Sequence, residues 1–327
     1  MDGYESIIDK ENGKIQEVVD RTGINVGDYV NYTPDDNTEP YTVTSEMSGS
    51  AGVMGQAQKL YQAKSEWRVL KKYSDGSIKL MNNGSSNELK LSGVAGYTNG
   101  VTILNEIAEK FGSRGDIKAR SISYEDIEEC LTEKGKEQRD NYSSYSGGPV
   151  YGHTQTYMNG KKGYPNLYQQ EIGGKIDSGK EGLSEGIDKE SVNKSGLNRS
   201  DVGTADGFSK ANTSLTVTQT NVYIEMNEEN FGEAYQVLKF YQPGYWVASR
   251  STNCLEDHIV FGIFGVDKAF NANTDGGWGL WSSESSGAGG ITAYAYPRAV
   301  VVLSPQVEIT VSDDATNPDT PHIITKY

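Results

Sequence analysis

The feature that most limits how this chain can fold is the run from residue 244 to 302. It concentrates aromatic and β-branched residues as no other part of the chain does, and interrupts them with polar, Gly-rich loops. That pattern predicts several strands joined by turns. The chain has 327 residues, enough to give such strands a substantial interior in one large domain or two ordinary ones. Gly, Ser, Asn, Thr and Tyr are abundant and aliphatic residues modest, a profile suited to a loop-rich β or α+β protein.

Upstream, residues 4–22 set a thin apolar stripe (Ile7, Ile8, Ile15, Val18, Val19) among charges. The spacing predicts an amphipathic helix, broken or frayed at Gly13, over a stalk or linker of residues 1–23. Residues 24–34 alternate as a strand. Residues 66–73 and 77–81 read as a hairpin across Ser74-Asp75-Gly76, with Trp67 and Val69 on one face and Arg68 and Leu70 on the other. Two helices are predicted next. Residues 101–111 put Ile103, Leu104, Ile107, Ala108 and Phe111 on one face and stop at Gly112. Residues 121–131 begin with Ser123 as N-cap and Asp126 three later, a capping-box signature. Glu125, Asp126, Glu128 and Glu129 then fall largely on a solvated face rather than in an acid/base pair. Residues 141–213 are Gly-rich and poor in aliphatics, and read as a loop-rich insertion in which tyrosines pin the chain to the domain. Residues 214–225 alternate cleanly as a strand, 230–241 suggest a short helix, and 311–327 a polar tail.

The formal net charge is −15, which repels phosphate backbones and anionic membranes, so nucleic acid is not an expected partner. No apolar run approaches the ~20 residues of a membrane helix, and no signal peptide is read within the chain; the abrupt Met1-Asp-Gly-Tyr start leaves room for a leader or anchoring segment ahead of it. Nucleophile elbow, Walker A and dinucleotide fingerprints are absent, and His153, His258 and His322 occupy no recognisable catalytic pattern. Ser191 and Lys194 match S-x-x-K by chance, in the polar insertion. Catalytic residues are therefore not assigned.

Binding candidates are few. Trp278 and Trp281, with Tyr294 nearby and Arg250 as a donor, suit an aromatic platform for a sugar face. Asn271, Asn273 and Asp275 before Gly276 resemble the opening of a calcium loop, although an Asn/Asp/Gly turn explains the same residues. Cys130 and Cys254 are in no CxxC pattern; they are either two lone thiols or one long-range disulfide.

The segments GDYVNYTPD, WRVL with its Asp-Gly turn, GYTNGVTILNEIAEKF, ARSISYEDIEECL, YPNLY, SLTVTQT and GYWVASR…FGIFGV…PRAVVVLSP together resemble a family of Firmicutes surface proteins, found especially in clostridia. The likeness runs from about Ile24 to Val311. It implies a C-type-lectin-like or formylglycine-generating-enzyme-like C-terminal region, and a prepilin-type helix preceding the N-terminal segment. It departs from the usual close, having Pro297-Arg298-Ala299-Val300 where an R-P-V-V order is usual. The enzymes of that fold bind copper through a close cysteine pair, which here would need Cys130 and Cys254 to meet. The lectin triplets for calcium are absent. The expectation is one α+β, C-type-lectin-like domain over residues 24–310. It would be a non-enzymatic, extracellular or pilus-associated module binding a glycan or protein through loops. A formylglycine-generating-type enzyme and a structural minor pilin are the alternatives.

Overall fold

The structure is a computed structural model that describes residues 6–8, 15–17, 21–50, 52–83, 87–157, 215–239, 244–267, 269–271, 279–282, 289–290 and 292–327. It is mixed α and β, with more strand than helix.

The predicted hairpin forms as Trp67–Lys72 and Ile78–Asn82. Gly76 takes φ 84° in its turn, and Asp75 Oδ1 accepts from the Ser77 amide at 2.9 Å. The hairpin is the middle of a five-stranded antiparallel sheet. Its order is Tyr29–Val30, Trp67–Lys72, Ile78–Asn82, Ala299–Leu303, Arg120–Ser121. The end of the aromatic run thus returns to pair with the early hairpin, Val301 opposite Leu80. Thr292–Ala295 likewise pairs with Leu89–Ser92. The rest of the run builds a second antiparallel sheet. Ile259–Val266 is its centre, with Tyr245–Cys254 on one side and Ala269–Asn271 and Gly279–Ser282 on the other.

Between the sheets lies one long helix, Gly93–Gly112, which packs against strands of both. Ile103, Leu104, Ile107 and Ala108 are buried, as the spacing requires. Its start lies well before the predicted residue 101, because Gly93, Gly96 and Gly100 mask the apolar period. Tertiary contact explains the glycines. A Cβ on Gly100 would lie 2.2 Å from Ile263 Cδ1, and one on Gly112 2.8 Å from Ala119 Cβ. Close approach to both sheets offsets the ~1 kcal/mol that glycine costs inside a helix.

Three further expectations change. In place of a helix over residues 4–22, Ser6–Ile8 pairs antiparallel with Ile15–Glu17. Isoleucine favours extended backbone, and the sequence between the strands holds Asn12-Gly13, a hairpin dipeptide. The segment 311–327 is docked rather than a free tail. Ile323–Lys326 pairs with Glu308–Thr310, Ile324 is buried, and His322 bridges to Val30 beside the edge strand. The strand predicted over 214–225 is two, Leu215–Thr218 and Tyr223–Glu225. Leu215–Thr218 pairs with Thr154–Tyr157. Of the tyrosines expected to pin the insertion, Tyr151 hydrogen-bonds the Tyr124 hydroxyl and Tyr145 donates to Gln155 at 2.7 Å. Tyr164 and Tyr168 lie outside the described residues.

Candidate functional site

The predicted platform does not assemble around Arg250. That residue is 4 % exposed, and its Nε donates to the Tyr97 carbonyl at 2.9 Å, deep in the interior. Arg250 lies on a strand whose ten residues are all buried, so its motif marks core rather than surface. Trp281 takes its place in the second sheet opposite Phe261 and Gly290. Tyr294 is exposed on the Thr292–Ala295 strand. Trp278 lies outside the described residues, as do Asn273, Asp275, Ser191 and Lys194. Asn271 ends a strand, paired with Tyr223 and Gly265.

Neither Cys130 nor Cys254 is in a disulfide. Cys130 lies near enough to Tyr245 to affect its hydroxyl, whereas Cys254 closes the ten-residue strand that Tyr245 opens. At about 3.3 Å per residue that span is on the order of 20–30 Å, far beyond the ~7 Å between Cα atoms that a disulfide tolerates. Burial also pushes the Cys130 thiol up to about 12. Neither the disulfide nor a cysteine-pair copper centre forms.

Two buried charge arrangements look catalytic and are closed. His322 is fully buried; its Nδ1 accepts from the Ser312 amide at 3.0 Å, so Nε2 carries the proton shared with Asp28 at 3.0 Å. With both nitrogens engaged the ring cannot act as a base, and the pair clasps the end of the chain to its beginning. The second is centred on Asp126, which the sequence placed on a solvated face. It is 1 % exposed. Arg120 Nη1 and Lys79 Nζ each approach its carboxylate to 2.5 Å, and the Ser123 amide donates to Oδ2 at 2.8 Å, completing the capping box. Burial alone would raise this carboxyl; Arg120 and Lys79 outweigh it and hold it below the ordinary range. Lys79 also reaches Glu129 at 3.0 Å.

An open site lies on the other face of the same sheet. Four segments far apart in sequence enclose a cleft of about 440 Å³. They are the chain after the edge strand (Tyr32, Asp36), residues 61–65, the last turns of the long helix (Ile107, Phe111), and the Pro297-Arg298-Ala299 turn. Gln62 ties three of them together: Nε2 donates to the carbonyls of Asp35 at 2.8 Å and Phe111 at 3.0 Å, and Oε1 accepts from the Asn37 amide at 2.7 Å. Tyr32 donates to the Gly112 carbonyl at 2.9 Å and meets Trp67 edge-on at 4.8 Å. Opposite, Asn82 accepts from Arg298 Nε through its carbonyl and from the Ala299 amide through Oδ1, both at 2.8 Å. Arg298 stands over the Tyr245 ring at 4.8 Å, and burial lowers its guanidinium to about 10.

One of the lining residues carries a buried indole donor without an acceptor. Trp67 is 1 % exposed, yet its Nε1–H finds no acceptor among the described residues. A buried donor left unmade costs about 1–3 kcal/mol. The sequence singled out Trp67 only as a hairpin residue, and nothing in its neighbourhood signals the cleft, because the other walls are tens to hundreds of residues away. Compared with protein-family models, curated proteins and solved structures, the chain matches none of them.

Proposed function

We propose that this chain is a non-enzymatic binding module that takes one ring-sized, apolar-faced unit of a glycan or protein ligand into the cleft beside Trp67. The observation that carries the reading is the Trp67 Nε1–H, which finds no acceptor among the described residues, in the braced wall of a cleft that mixes apolar side chains with polar ones such as Gln62 and Asn82. An acceptor on the ligand would remove a standing cost, while Tyr61, Phe111 and Ile107 supply apolar contact. The volume suits one sugar ring or one large side chain. A C-type-lectin-like fold, and display at a cell surface or on a pilus, belong to the same proposal. They are supported by the sequence resemblance and by the return of Ala299–Leu303 to the early hairpin. No described helix is long and apolar enough to cross a membrane.

The test is a glycan array and a peptide library probed with the purified chain and with Ala63→Trp, which plugs the cleft from the 61–65 loop. Ligands captured by the parent and lost by the plugged variant are expected. Ligands retained by Ala63→Trp, or none captured by the parent, would overturn the assignment.

A further inference from the structure

The cleft wall formed by Tyr32 and Thr33 has two supports. The inner one is the end of the long helix: Tyr32 and Gln62 donate to the carbonyls of Gly112 and Phe111, and the Asp35 amide donates to the Ser113 carbonyl at 2.9 Å. The outer one is the segment 312–327. The edge strand Tyr29–Val30 is 2 residues long, and this segment takes up its outer side. The His322 amide donates to the Tyr29 carbonyl at 2.9 Å, the Asn31 amide to the His322 carbonyl at 3.0 Å, and the Tyr29 amide to the Ala315 carbonyl at 2.7 Å. The Ile324 amide donates to Asn31 Oδ1 at 2.6 Å.

Tyr327 then reaches the wall itself. Its ring meets Tyr32 edge-on at 6.2 Å, and Tyr32 in turn meets Trp67. Arg114 stands over the Tyr327 ring at 4.2 Å while its Nη1 donates to the Thr33 carbonyl at 2.8 Å. The outer support is the weaker of the two. His322 and Ile324 are buried, but Ile323, Thr325, Lys326 and Tyr327 are exposed, and Ile323–Lys326 belongs to a two-stranded ribbon. A ribbon of two strands is marginal by itself, and a segment with so few buried contacts opens at far less cost than the core.

We infer that the segment 312–327 is a strap that regulates the cleft. Docked, it holds the Tyr32–Thr33 wall in the position that receives a ligand; released, it lets that wall slacken. The inference rests on the cleft being the binding site. By linkage, a ligand that favours the docked wall tightens the strap as much as the strap tightens the ligand.

The experiment uses the 15N-labelled full chain, with benzamide and glucose as ring-sized probes. Binding is read from the Trp67 indole N–H resonance, identified among the four tryptophans by its loss in Trp67→Phe. Docking is read from hydrogen exchange at the Asn31 and Ile324 amides, whose bonds join the strap to the body. At least one probe is expected to move the indole resonance and to slow both amides severalfold. Tyr327→Ala and Asn31→Ala, both at exposed positions and checked for native circular dichroism, should weaken that probe roughly two- to tenfold, the worth of one ring pair or one hydrogen bond. Tyr327→Phe, which keeps the ring, should bind as the parent does. A probe bound equally by the parent and both alanine variants, with exchange unchanged, would overturn the strap and leave the cleft as a binding site. No movement of the indole resonance by either probe would overturn both.

Discussion

The strand Ile78–Asn82 separates two buried polar settings that differ in one respect, whether their bonding capacity is used up. On one face Lys79 meets Asp126, and that carboxylate is saturated by Arg120, Lys79 and the Ser123 amide. On the other face Asn82 accepts from Arg298 beside a cleft where the Trp67 indole N–H finds no acceptor among the described residues. Both settings bury polar groups at cost. The first recovers that cost inside the protein and so holds the fold together. On the proposed reading the second leaves part of it for a ligand to recover, which is what a binding site requires.

The largest effect should therefore come from the saturated face. Asp126→Ala strips buried Lys79 of its buried carboxylate, leaving it only the partly exposed Glu129, and should cost about 3–5 kcal/mol in urea denaturation. A loss below about 1 kcal/mol would break the contrast. The pH dependence follows from the sign of the shift. The Asp126 carboxyl is depressed when folded, because Arg120 and Lys79 outweigh its burial. Its stabilisation is present above the unfolded value, near 3.8, and is lost as pH falls through the lower folded value. Denaturation midpoints of the parent should fall in that acid window, and those of Asp126→Ala should fall less there.

A middle-sized effect belongs to the bracing of the cleft. Tyr32→Phe removes the bond to the Gly112 carbonyl and should cost about 1 kcal/mol. It should also weaken ligand capture, because Tyr32 is the side chain that sets the Trp67 ring edge-on. Unchanged capture would show that the wall does not need to be rigid.

How much of this was legible depends on how local each signal is. The hairpin was, since Asp75-Gly76 dictates its turn and the alternation of Trp67, Arg68 and Val69 its faces. The capping box was, since Ser123 and Asp126 are three residues apart. The burial of Asp126 was not. Its cations come from residue 79 on a strand and residue 120 on an edge, and helical spacing alone puts any carboxylate run in water. The start of the long helix was hidden because Gly96 and Gly100 are selected by Leu91 and Ile263, and not by helix propensity. The docked end was hidden because Ile324 is buried beside His322, a residue that carries no apolar signal. The cleft is the extreme case. Trp67, Phe111 and Arg298 meet only after both sheets and the helix have formed.

The smallest expected change in stability is also the one that bears most on function. Trp67→Phe deletes part of a fully buried indole, a loss that would ordinarily cost several kcal/mol on full truncation. It also deletes a donor that finds no acceptor among the described residues, which returns about 1–3 kcal/mol. The two terms oppose, so the variant should stay within about 1 kcal/mol of the parent in urea denaturation. Ligand capture should nonetheless fall, because under the proposed function the ligand supplies the acceptor. If the variant is instead destabilised by more than about 2 kcal/mol, the indole N–H is already satisfied in the free protein. The two faces of the strand would then be alike, and Trp67 would be core in the same sense as Trp246, whose Nε1 donates to the Leu89 carbonyl at 2.9 Å.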